Sequence, residues 1–177
     1  MQDNKELARQ RLREIAQNTP PDSNLAGFFE AVYSTANGDA SGIPWADLKP
    51  HPLALEWLQQ HNINRAGHSA LVVGCGLGDD AEELARRGFQ VTAFDLSPRA
   101  IAWCKERFPA STVDYQVADL FATPARWRQA FDFVLEIYTI QATPLAAHGR
   151  TIANIASFLA PGGQLLVICR AREPHEE

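Results

Sequence analysis

From residue 68 onward, short apolar runs alternate with longer segments whose apolar residues recur at helical spacing. Ser69–Val73 is such a run and predicts a buried strand. Asp79–Arg87 carries Ala81, Leu84 and Ala85 on one helical face, and Gly88 stands where a helix stop belongs. Gln90–Phe94 predicts a second strand, ending at Asp95. Ser97 and Pro98 then supply an N-cap and a first-turn proline for a helix with Ile101, Cys104 and Phe108 at core spacing. Val113–Val117 predicts a third strand, Thr123-Pro124 a short helical turn bearing Trp127, and Phe131–Ile137 a fourth strand. Thr143-Pro144 opens a longer predicted helix reaching Ala160, with Ile152, Ile155, Ala156 and Leu159 on its buried side. Pro161-Gly162-Gly163 turns the chain into a fifth strand, Gln164–Cys169.

Strands that are nearly all apolar and alternate with helices indicate a parallel sheet covered on both faces. The expected fold is therefore α/β, a doubly wound, mostly parallel sheet whose ligands sit beyond the carboxyl ends of the strands. The first 67 residues read differently. Helical pattern covers Asp3–Gln17, then Leu25–Ala36 with Phe28, Phe29, Val32 and Tyr33, then Pro52–Gln60 with Leu53, Trp57 and Leu58. Asn37–Lys49, rich in Gly, Ser and Pro, separates the last two and carries Trp45. The expectation is one domain over 1–177, with a helical N-terminal cap (1–67) packed across the top of the sheet core (68–177).

Composition narrows the function. With 177 residues, 46% hydrophobic and 21% charged, the chain is globular and not disordered. A net charge of −5 speaks against nucleic acid as a partner, because phosphate neutralisation needs clustered Lys and Arg. No apolar run approaches about 18 residues, so no membrane span is expected. The N-terminal segment lacks the apolar stretch of a secretory signal, and a cytoplasmic location is expected. Cys75, Cys104 and Cys169 share no CxxC spacing and no His cluster, so no metal is expected. An odd cysteine count suits a reducing compartment, and the three read as small, mostly buried side chains.

The turn after the first strand reads Gly74-Cys75-Gly76-Leu77-Gly78-Asp79-Asp80. Glycines at a strand-to-helix turn let a ligand approach the backbone. The dinucleotide pattern GxGxxG asks for glycine at 79, where Asp79 stands. An acid there repels a pyrophosphate and suits a cationic ligand such as a sulfonium with an amino group, although it also serves simply to stabilise a helix start. Asp95 ends the second strand, where an acceptor can hold both ribose hydroxyls of an adenosine. Asp119, with Leu120 beside it, follows the third strand and can accept from an adenine amino group.

These motifs carry a resemblance. The stretch VVGCGLGDDAEELARRGFQVTAFDLSPRAIAWCKERF, then VADLF, then LAPGGQLLVI, is similar to a class I S-adenosylmethionine-dependent methyltransferase over about residues 69–169. Within that superfamily, GIPWADLKPHPLALEWL and the GCGxGxD turn resemble the thiopurine and small-thiol methyltransferase-like group. The resemblance implies S-adenosyl-L-methionine as cofactor, with S-adenosyl-L-homocysteine as product. It places Gly74, Cys75, Gly76 and Gly78 beneath the methionine portion, Asp95 on the ribose and Leu96 along the adenine. Asp119 would meet the adenine amino group, with Leu120 and Phe121 packing nearby. Glu136 and Ile137 would face the methionine and methyl end, and Trp45 would wall the site. Asp79 or Asp80 would meet the amino group, because Val72 stands where many members carry an acid.

The implied activity is methyl transfer to a small-molecule nucleophile: a thiol, a phenol or quinol, or similar. The Asp/Asn-Pro-Pro-aromatic motif of adenine and glutamine methylation is missing after strand four, where Glu136-Ile137-Tyr138-Thr139 stands. Glu136, Tyr138, His148 and Tyr33 are candidates for a base, and nothing in the spacing singles one out. Two other readings remain open: a cofactor-binding domain without turnover, and a nucleotide-dependent oxidoreductase. The superfamily's sheet has seven strands, and the eight polar residues after Cys169 cannot supply two more. The expectation is a truncated chain, or a fifth-strand edge paired in a homodimer, or one covered by the cap.

Overall fold

A computed structural model describes residues 10, 12–15, 25–61 and 66–171. The expected helix Asp3–Gln17 lies mostly outside them; residues 10 and 12–15 are helical. Two helices follow, α1 (Leu25–Ala36) and α2 (Pro52–Gln60). The core then runs β1 (Ser69–Val73), α3 (Asp79–Arg86), β2 (Gln90–Asp95), α4 (Pro98–Arg107), β3 (Asp114–Val117) and β4 (Phe131–Ile137). It ends with α5 (Thr139–Ala142), α6 (His148–Ala156) and β5 (Leu159–Ile168). The five strands are all parallel, in the order β3-β2-β1-β4-β5. This is the doubly wound α/β sheet that the apolar runs predict. Its order reverses between β1 and β4, and crevices for ligands form at such switch points.

Both faces are packed. On one, Leu58 of α2, Ala81 and Leu84 of α3 and Ile101 and Cys104 of α4 bury Ala70, Val72, Phe133 and Leu135. On the other, Leu71, Val73, Phe94 and Val134 meet Trp127, Ile155 and Phe158. The N-terminal segment thus divides its work. Helix α2 packs on a face of the sheet as a further layer helix, while α1 and the following loop lie against α4 and the glycine turn through Tyr33, Ala36, Ile43, Leu77 and Ala100. Glu30 fastens α1: it accepts from Ser97 Oγ (2.6 Å) and the Arg99 backbone N–H (3.2 Å) at the start of α4. A carboxylate is favoured at that helix end.

The largest departure from the expected elements lies between β4 and β5. In place of the single helix expected from Thr143 to Ala160 stand a 3₁₀ turn at Leu145–Ala147 and α6, which ends at Ala156, and the short helix α5 precedes them where the pattern predicts none. Helix α5 starts early because Glu136 Oε1 accepts from the Thr139 and Ile140 N–H groups (2.5 and 3.0 Å). Pro144, which has no N–H, separates the two helices. Helix α6 is also rotated from the expected face. Thr151 and Ile155 are buried, whereas Ile152 is exposed, because Thr151 Oγ1 pairs with Thr143 Oγ1 inside (3.2 Å). Leu159 begins β5 opposite Phe131, and the pairing resumes at Gln164 after a bulge over the Pro-Gly-Gly turn. β5 is an edge strand of the five. Cys104 is buried and Cys75 half-buried, but Cys169 is exposed.

Candidate active site

The turn from β1 to α3 uses left-handed backbone at Gly74 (φ 61°), Gly76 (54°) and Gly78 (89°). The three glycines serve different neighbours. A Cβ on Gly74 would collide with Thr139 Oγ1, and one on Gly78 would sit 3.1 Å from Cys104 Sγ. At Gly76 a Cβ would meet only the Tyr33 hydroxyl, at 3.5 Å. Gly76 is therefore the position where the backbone is bare toward the carboxyl end of the sheet. Cys75 donates its N–H to Phe94 O (2.9 Å), which ties the turn to β2.

Asp95 closes the same spot from the end of β2. Its Oδ2 accepts from Gly76 N–H and its Oδ1 from Ser97 N–H, each at 2.9 Å. The carboxylate is thereby fixed in orientation, and each oxygen retains a lone pair. Burial pushes its pKa up to about 6, against the pull of the backbone N–H groups it accepts from. Above Gly76, the buried Tyr33 hydroxyl accepts from Trp45 Nε1 (3.1 Å), and the Trp45 ring meets Tyr33 and Phe29 edge-on. Trp45 remains 38% exposed. Leu96 is half-buried beside Asp95.

Other expected residues have structural partners. Both oxygens of Asp79 are held by Arg107 at 2.8 Å, and the same guanidinium bonds Leu77 O. Asp79 thus braces the turn against α4. Its neighbour Asp80 accepts the His51 N–H (2.8 Å), and burial, with Asp79 and Glu83 nearby, raises its pKa to about 6. Leu120 is buried and packed with Phe94 and Trp127. Asp119 is exposed and turns the chain by accepting Phe121 N–H (2.8 Å); Phe121 lies under the Arg150 guanidinium, 4.5 Å from its ring centre. Glu136 is fully buried and caps α5 with Oε1, while Oε2 has no hydrogen-bond partner among the described residues. Burial raises its pKa. Ile137 packs against the core on the opposite face.

Two residues join the site that spacing alone does not reveal. Thr139 Oγ1 donates to Val73 O (3.2 Å) across the switch point, and His51 Nε2 lies 3.0 Å from Tyr138 Oη. His51-Pro52 is a legible N-cap pair, but its partner lies 87 residues away.

With this geometry in view, the comparisons are decisive. Residues 70–163, more than half the chain, match the methyltransferase domain family. The chain belongs to the class I S-adenosylmethionine-dependent methyltransferases. Among curated relatives, the methyltransferase domain is 32% identical to the ubiquinone biosynthesis O-methyltransferase of Azotobacter vinelandii over 135 residues, covering 73% of this chain and 57% of the relative. The enzyme of the same name from Nitrosococcus oceani is 30% identical over 165 residues, covering 92% and 67%. These relatives are longer: the domain spans somewhat over half the length of those first matched. A solved structure from work on the conversion of a disulfide bond into a thioacetal group during echinomycin biosynthesis superposes with a TM-score of 0.70 at 25% identity, over 81% of this chain and 59% of that one. A phosphoethanolamine N-methyltransferase from Haemonchus contortus shares the fold, with a TM-score of 0.61 at 23% identity over 88% and 35%. Among the described residues, no helix of this methyltransferase domain is long and apolar enough to cross a membrane.

Proposed function

We propose that this chain binds S-adenosylmethionine at the β1–β2 end of the sheet and transfers its methyl group to an oxygen of a small phenol or quinol. The observation that carries the cofactor assignment is Asp95: an acceptor-only group, buried, oriented by Gly76 and Ser97, at the strand end where a ribose diol needs two acceptors. Gly76 would lie under the cofactor, Trp45 and Leu96 would wall it, and Asp119 and Phe121 would bound the adenine side. Asp80, its charge unfavourable beside Asp79 and Glu83, suits a cationic group and fits an ammonium better than a pyrophosphate. Bound there, the cofactor supplies a methyl group on a cationic sulfur, open to in-line displacement. The residues around it orient the reactants and exclude water, which contributes on the order of 7–11 kcal/mol at best. The names of the curated relatives favour an oxygen acceptor over the thiol that the sequence motifs also allow.

Calorimetric titration with S-adenosylhomocysteine and with NAD tests the cofactor. Binding of the first and not the second is expected, and Asp95→Ala abolishes it; affinity retained within a few-fold would remove Asp95 from the site. Mass spectrometry after incubation with labelled S-adenosylmethionine and a panel of phenols, quinols and thiols reads the acceptor. Binding without methylation of any of them would favour a cofactor-binding domain.

A further inference from the structure

We propose that Cys75 and Cys104 form a site of reversible oxidation, whose disulfide withdraws the glycine turn from the cofactor. In its effect on binding, this rests on the reading above. The two thiols converge on the glycine that the turn leaves bare. Cys104 Sγ, fully buried on α4, donates to Gly76 O at 3.2 Å. A Cβ on Gly78 would sit 3.1 Å from the same sulfur, so Cys104 is wedged directly beneath the turn. Cys75 is the residue before Gly76, and it packs against the core cluster that contains Cys104. The adjoining Cys104 side chain, then burial, pushes the Cys75 thiol up, with Asp95 adding to the effect. Both cysteines are free thiols.

Exposure decides the chemistry. Cys75 is half-buried and within reach of a small solute, whereas Cys104 is 0% exposed. Nothing can be added to Cys104 without opening a close-packed interior. A disulfide adds no atom: it removes two hydrogens and draws the sulfurs to about 2.05 Å. Hydrogen peroxide is a small enough oxidant. Cys75 loses its proton, and its sulfur attacks one peroxide oxygen and breaks the O–O bond. A sulfenic acid forms, and the hydroxide released takes up the proton as water. Cys104 then loses its proton and attacks the Cys75 sulfur, and the sulfenic oxygen leaves as a second water. Two thiols and one peroxide thus give one disulfide and two waters. The consequence falls on Gly76, whose N–H donates to Asp95 and whose carbonyl accepts from Cys104. A disulfide has no S–H, so Gly76 O loses its donor. The same step draws α4 toward a turn built on left-handed backbone at Gly74, Gly76 and Gly78.

The test uses the full chain carrying Cys169→Ser, which removes the exposed thiol. It is treated with hydrogen peroxide at about pH 8.5, where the reactive thiolate forms more readily. Mass-spectrometric peptide mapping without reductant is expected to find Cys75 linked to Cys104. Calorimetry is expected to show S-adenosylhomocysteine bound at least tenfold more weakly, with dithiothreitol reversing both changes. Cys104→Ser in the same background keeps a donor for Gly76 O and cannot form the bridge, so peroxide changes its affinity less than twofold. Three results overturn the proposal and leave the cofactor reading standing: no Cys75–Cys104 link after oxidation, a linked protein that binds within twofold of the reduced one, or an equal loss of affinity in Cys104→Ser. Failure of the reduced protein to bind S-adenosylhomocysteine overturns both.

Discussion

Asp95 shows how much one buried carboxyl decides. In the folded chain its pKa is pushed from the ordinary 3.8 up to about 6 by burial. The folded state holds the proton more tightly than the unfolded chain does. Its contribution to stability is therefore most favourable below about pH 4 and is lost as pH rises through 6. Ligand binding runs the other way, since two hydroxyl donors require the ionised form. Affinity for S-adenosylhomocysteine is expected to be level above pH 7 and about tenfold weaker at pH 5, which calorimetry across that range checks. A profile that stays level down to pH 5 would detach Asp95 from the ligand. Asp95 was legible in the sequence because its place, the end of an apolar run before an N-cap, is a matter of local pattern. Asp79 was not, because its partner Arg107 lies 28 residues on and no local signal joins them.

The glycine turn behaves as an element with two separable functions. Gly74 is required by packing against Thr139, Gly76 by access to the site. Gly74→Ala combines a left-handed φ with a collision against Thr139, and we expect a loss of about 2–4 kcal/mol, read as a lower Tm and urea midpoint. Gly76→Ala meets no atom closer than 3.5 Å. Its stability cost should stay near 1 kcal/mol, the price of the backbone conformation alone. Affinity for S-adenosylhomocysteine should nevertheless fall at least tenfold, by calorimetry on the folded variant. The reverse ranking, with Gly74→Ala the milder for stability, would contradict this division. At this scale the sequence was most informative for strands and caps: β1, β4, α1 and α2 stand at their expected bounds. It was least informative between β4 and β5, where Glu136 reaches forward to start α5 ahead of the helix that Thr143-Pro144 predicts. A side chain capping the next helix from within a strand leaves no mark on hydrophobic periodicity.

Over the whole molecule, protection should follow position in the sheet. β1 is buried from Ala70 to Val73 and flanked by β2 and β4, whereas β3 and β5 lie at the edges and show exposed positions. Amide hydrogen exchange is expected to be slowest in β1 and β4 and measurably faster in β3 and β5. Slower exchange in β5 than in β4 would show that its outer edge is covered in solution. The doubly wound class was readable because both faces of a parallel sheet must be apolar. The distinct placements of α1 and α2 were not, because amphipathic helices advertise a buried stripe without naming the surface that buries it.

The strand order also carries a history. Every pairing is parallel, so no hairpin can nucleate the sheet, and each contact must close a loop. Neighbours β1 and β2 are joined through roughly twenty residues, whereas the β1–β4 seam brings together Ser69 and Asp132, 63 residues apart. Such distant closures slow folding. During synthesis, the Gly76–Asp95 corner can assemble while the chain that will carry Tyr138 is still being made. On the reading proposed above, the corner that would hold the donor is then older, in the life of each molecule, than the far side of the switch point.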